Sequence, residues 1–152
     1  MSGSYLELMI LQESKVAELY QEFAALDPGN GEYWSSMAEA ERRHAGMLRE
    51  LREFLPSRRA LLVEGRVRAE AIRAFLSYAD GVLEKARKEG ITPLKALSIA
   101  TDIEKSLLEK GMLDHFRGAS PEVNGVLAKL KEETAGHAAM AEEMWRKNRS
   151  ST

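Results

Sequence analysis

The sequence predicts an all-α chain: a four-helix bundle whose second and third bundle helices are joined by a long crossover connection carrying an extra helix. Three observations point there. Apolar residues recur at three- and four-residue spacing through almost the whole chain, the period of an α-helix with one buried face. Two short breaks, Asp27-Pro28-Gly29-Asn30-Gly31 and Gly118-Ala119-Ser120-Pro121, each separate two such runs, and so short a turn folds its helices back as an antiparallel hairpin. Acids or histidines interrupt the apolar stripe at similar depth in both halves. At 152 residues the chain fits a single domain, 1–152, with a substantial core.

The first helix is expected to start at an N-cap, Ser4. Leu6, Met9, Ile10, Val16, Ala17, Tyr20, Phe23 and Ala24 form its stripe, with Glu13 as the one acidic member. The second, Tyr33 to Phe54, turns Trp34, Met37, Ala38, Ala45, Leu48 and Leu51 inward, and Glu41 and His44 lie on the same side; Pro56 ends it. The segment of about 56–92 does not continue the hairpin pattern. A short apolar patch, Ala60 to Val63, precedes a third helix from about Arg66 to Lys88, which carries no inward acid or histidine and is expected on the outside of the bundle. Gly90 is a stop. Thr92 and Pro93 read as cap and first residue of a helix reaching about Phe116, with Leu97, Ala100, Ile103, Glu104 and Leu107 inward. Ser120 and Pro121 play the same parts for the last helix. That one runs to about Lys147, with Leu127, Leu130, Thr134, His137, Ala138, Met140, Ala141 and Met144 inward and the end from Arg146 frayed.

Depth ties the halves together. Glu13 lies about 16 residues before Gly29 and Glu41 to His44 about 12 to 15 after it; Glu104 lies about 15 before Ala119 and Thr134 to His137 about 15 to 18 after it, so all fall near mid-bundle at 1.5 Å per residue. Making these levels coincide requires the second and third bundle helices to run parallel, and the connection must then span the bundle.

Composition narrows the chemistry. Cysteine is absent, which removes disulfides, thiol catalysis and thiolate-bound metal, so any metal is held by oxygen and nitrogen. Charged residues make up 30% of the chain but the formal net charge is only −2, which provides no general attraction to nucleic acid or anionic lipid. Arg58, Arg59, Arg66 and Arg68 read as a solvated turn. No stretch approaches the roughly 20 apolar residues of a membrane span. The first ten residues show no export signal, and a cytoplasmic protein is expected.

Glu41 and His44, three apart, can reach one point from a single helix. This Glu-x-x-His half-site is the unit from which carboxylate-bridged di-iron bundles are made. Acids on an apolar face are costly without a partner; a metal supplies one, and a buried salt-bridge network supplies another. Tyr20 reads as a core aromatic with a satisfied hydroxyl, His115 as a surface residue near a helix end, and the methionines as core filler.

Glu13-Ser14-Lys15-Val16-Ala17-Glu18-Leu19-Tyr20 with Phe23-Ala24, then Glu41-Arg42-Arg43-His44-Ala45, Ala100 with Glu104, and His137-Ala138 together resemble the rubrerythrin branch of the ferritin-like di-iron carboxylate proteins. The resemblance implies a ferritin-like bundle holding two iron ions, other divalent metals being possible. Glu13 and Glu104 would be terminal carboxylates, Glu41 a bridging carboxylate, and His44 and His137 the imidazole ligands. It also implies reduction of peroxide or dioxygen and, as a family-level expectation, a homodimer. The chain departs from that pattern at Thr134, where a second bridging Glu is expected, and at Leu107, where rubrerythrins have another Glu. Glu133, four residues before His137, shares the face and is either a replacement ligand or a solvated charge beside Glu132. Without cysteine the chain has no rubredoxin-type centre, so an external electron donor protein is expected. Two other readings stand beside this one: a bundle that binds metal poorly and acts in protein association, favoured by Thr134, and one that oxidises and stores iron.

Overall fold

The computed structural model describes residues 5–51, 59–109 and 121–150, with side chains omitted for residues 5, 59–68 and 109. Ser4, Phe54, Pro56, His115, Phe116 and Ser120 lie outside the described residues, as do the side chains of the basic cluster at 58–68. The described residues form five α-helices and no strand: α1 (Tyr5–Leu26), α2 (Gly31–Glu50), α3 (Arg59–Glu89), α4 (Pro93–Glu109) and α5 (Pro121–Ser150).

The chain is an all-α bundle. α1 packs along α2 and α4 along α5, the two expected hairpins, while α3 packs on α1. Side-chain pairs give the directions. Lys15 meets Asp80 and Glu18 meets Arg87, so residue numbers rise together and α3 runs parallel to α1. Between α2 and α5 they run oppositely, since Glu41 meets His137 and Arg43 meets Glu133. With α4 turning back from α3, α2 and α4 run parallel. The 31 residues of α3, roughly 46 Å of helix, make the full-length crossover that this requires.

The breaks have local causes. Asp27 starts a 3₁₀ turn, Pro28–Asn30; its buried carboxylate accepts from Trp34 Nε1 at 3.0 Å and Asn30 Nδ2 at 2.8 Å. This lets α2 begin at Gly31, two residues earlier than its apolar stripe indicates. Gly90 stands at φ 75°, the left-handed conformation that ends a helix without a Cβ penalty. Thr92 caps α4 as expected, its Oγ1 accepting from the Lys95 N–H at 3.2 Å.

Three expectations are corrected. α3 starts at Arg59 rather than Arg66, taking the Ala60–Val63 patch into the helix; Gly65 inside it carries a cost of only about 1 kcal/mol, too little to break a packed helix. Met140 is exposed, because Ala138 and Ala141 take the buried face on either side of it. The end of α5 continues regularly to Ser150, held by the Arg146–Glu142 and Lys147–Glu143 pairs and by Arg149 lying over the Trp145 ring at 4.9 Å. α1 is also enclosed more widely than one stripe predicts: Leu8, Gln12 and Leu19 are buried too, since α3 packs on α1 in addition to α2.

Candidate metal centre

Five polar side chains spaced across the sequence converge in the middle of the bundle. Glu13 comes from α1, Glu41 and His44 from α2, Glu104 from α4 and His137 from α5. The first four are buried, and the side chain of His137 is 18% exposed. They form two groups, Glu13–Glu41–His44 and Glu41–Glu104–His137, each with donor atoms within 4.8 Å of one another and each able to hold a metal ion. Glu41 belongs to both. Its Oε2 lies 3.5 Å from His44 Nδ1 and its Oε1 lies 3.2 Å from His137 Nδ1, so each oxygen addresses one imidazole. His44 Nδ1 is also 3.7 Å from Glu13 Oε2, and His137 Nδ1 is 3.8 Å from Glu104 Oε1. The two rings stack at 5.5 Å with 20° between their planes.

Each helix keeps room for the cluster by placing small residues a turn from the donors: Ala17 on α1, Ala38 and Ala45 on α2, Ala100 on α4 and Ala141 on α5, all buried. Tyr20 braces one carboxylate, its hydroxyl donating to Glu104 Oε1 at 2.9 Å. Its ring rests 5.5 Å from Trp34, which meets Phe23 at 5.1 Å and Tyr33 at 5.0 Å.

Electrostatics follow from crowding acids out of water. Burial, then the charge of Glu41, pushes Glu13 well above the ordinary carboxylate value; burial, then Glu41 and Glu13, does the same to Glu104. For Glu41, burial also acts upward, but contacts with Glu13, His137 and His44 outweigh it and hold this carboxyl below the ordinary range. Burial pulls His44 down, and Glu13 and Glu41 more than reverse it, raising the imidazole to about 10. The metal-free cluster is therefore a Glu41–His44 ion pair between two acids that resist ionising.

Hydrogen bonds leave part of this cluster unsatisfied. Glu13 Oε2, Glu41 Oε2, His44 Nδ1 and Glu104 Oε2 are buried and have no hydrogen-bond partner among the described residues. Orphaned polar atoms are rare in folded interiors. Four in one cluster, all oxygen or imidazole nitrogen, form a donor set that divalent iron or zinc accepts.

Glu133 is not part of either donor group. Its Oε1 lies 3.0 Å from His44 Nε2, on the side of the ring away from Glu13 and Glu41, and 3.1 Å from Arg43 Nη2; contact with His44, then Arg43, pulls its carboxyl down. It backs an imidazole on a neighbouring helix. Thr134 is buried, so the position of the absent bridging acid still faces the interior. Leu107, the second departure, is a core residue. Asp27 escaped notice in the sequence because it reads as a turn former; the Trp seven residues on was the available signal.

Among the described residues, no helix is long and apolar enough to cross a membrane. In comparisons with known proteins, no family model, no curated protein and no solved structure matches the chain. The structure is all-helical, with a buried Glu/His cluster that could bind metal, and it is compatible with a ferritin-like fold.

Proposed function

We propose that the chain is a metal-dependent oxidoreductase of rubrerythrin type that holds two iron ions and reduces peroxide or dioxygen. One observation carries the reading: two buried donor groups share Glu41, with one of its oxygens turned to each imidazole. Glu13 and His44 would serve one ion, Glu104 and His137 the other, and Glu41 both. Iron bound there supplies redox equivalents and open coordination positions for the oxidant. The protein's own part is to hold the donors in place and exclude water. Glu41 spaces the two imidazoles, Tyr20 keeps a proton beside Glu104 Oε1, and the small residues on each helix leave room without admitting bulk solvent. The absence of cysteine calls for a separate donor protein.

Thr134 supports a second reading, a bundle of the same architecture that binds metal poorly and acts by association, because it removes an acid that would offset the charge of two cations. Anaerobic ferrous loading separates the two. Two irons per chain in the wild type, none in Glu41→Ala and one in His137→Ala, followed by peroxide consumption with a reductant present, support the oxidoreductase. A wild type that binds no iron rejects it. Iron retained as a growing oxidised store, without peroxide turnover, would make the chain a storage protein instead.

A further inference from the structure

The two donor groups are built differently. His44 is wholly enclosed, with Nδ1 toward Glu13 and Glu41 and Nε2 on the Glu133 carboxylate at 3.0 Å. Glu133 is itself held at 3.1 Å by Arg43, the residue beside His44 on α2. His137 is 18% exposed, and its Nε2 meets no carboxylate among the described residues. The groups also differ in what supports them. Glu13, Glu41 and His44 all stand on the α1–α2 hairpin, whereas the other group takes Glu41 from that hairpin and Glu104 and His137 from α4–α5.

An imidazole offers a metal its lone pair only when the proton sits on the other nitrogen and the ring is turned the right way. A carboxylate accepting from that other N–H fixes both, and makes the ligating nitrogen more basic. Glu133 occupies that position for His44. It stands one residue before the buried Thr134, outside both donor groups, and reaches the back of an imidazole.

We propose that Glu133, steadied by Arg43, is a positioning residue that holds His44 with Nδ1 aimed at Glu13 and Glu41, and that it makes their site the tighter of two unequal divalent-cation sites. The proposal rests on the reading of the cluster as a metal centre. A site preassembled on one hairpin, with its imidazole already turned, loses less freedom on binding than one assembled across two hairpins around a partly exposed ring.

Zinc(II), which is redox-inert, titrated into the metal-free full chain by calorimetry tests this without reference to activity. The wild type is expected to show a tight and a weaker event. Glu133→Ala should weaken the tight event by roughly 10- to 100-fold and leave the weaker one unchanged. Glu133→Gln, whose amide oxygen still accepts from Nε2–H, should retain more affinity than Glu133→Ala, and His137→Ala should delete only the weaker event. A metal-free thermal midpoint for Glu133→Ala close to the wild type shows that the fold is intact; should it drop, the Gln variant and the split between the two events still decide. Two events in the wild type that Glu133→Ala leaves unaltered, or weakens equally, overturn the positioning role while the metal centre stands. A wild type that takes up no zinc overturns both.

Discussion

Raising the pH from about 7 to about 9 should destabilise the metal-free protein, a direction set by His44. Its imidazole, ordinarily 6.5, is raised to about 10 in the folded chain. Over that range the unfolded chain has largely lost this proton and the folded chain keeps it. A group with a raised folded value contributes stability that is complete below its unfolded value and is lost as the pH climbs through its folded one. Each such group changes stability by roughly 1–2 kcal/mol per pH unit, so His44 alone is worth about 3 kcal/mol across the interval. Glu13 and Glu104, also raised, act in the same direction from 4.5 upward until their own folded values are passed. Glu41 and Glu133, both lowered, act only in acid. At roughly 2–4 °C per kcal/mol for a chain of this size, the thermal midpoint should fall by about 6–12 °C. The assay is thermal melting in chelator at stepped pH, with His44→Gln as the control in which the His44 share of the fall disappears. A midpoint that holds steady or rises between pH 7 and 9 would refute the assigned charge state of the cluster.

Metal uptake must displace the proton held by His44, whose imidazole is raised to about 10, so zinc added in weak buffer should acidify the solution and bind more weakly as pH drops; uptake without proton release contradicts this. Trp34→Phe removes the donor to Asp27 and part of a fully buried ring, a loss of about 2–4 kcal/mol readable as a lower urea midpoint, and an unchanged midpoint would show that Asn30 alone satisfies Asp27. Gly90→Ala meets no atom within 4 Å, yet forces a side chain onto a backbone at φ 75°, costing about 1–2 kcal/mol; a neutral result would mean that the turn relaxes. Thr92→Ala, which deletes the Oγ1 acceptor for Lys95, should cost about 1 kcal/mol and is measured the same way.

Glu13, Glu41, His44, Glu104 and His137 were legible because each interrupts an apolar stripe at one depth, and a helix converts spacing into direction with little freedom. Parallel α2 and α4 followed from the same levels. Glu133 was not legible beyond its angle on the helix. Which neighbour it meets depends on how far α5 is rotated and slid against α2, and it is this offset that brings it to His44 Nε2 and Arg43. Leu8, Gln12 and Leu19 escaped for a related reason: periodicity reports one buried face, and a helix covered by two neighbours has more than one. The early start of α3 was hidden by Gly65, a residue that weakens helices in isolation and is tolerated in a packed one.

The division of donors between the hairpins has a mechanical consequence. Glu13, Glu41 and His44 ride on one hairpin, but an ion held by Glu41, Glu104 and His137 would clasp that hairpin to the other across the seam where α2 faces α5. Occupancy of the second site would then be felt as a slowing of the opening of the two halves, and hydrogen exchange along α4 and α5 would slow with it. The chain would thus carry a latch whose closure records whether the second ion has arrived.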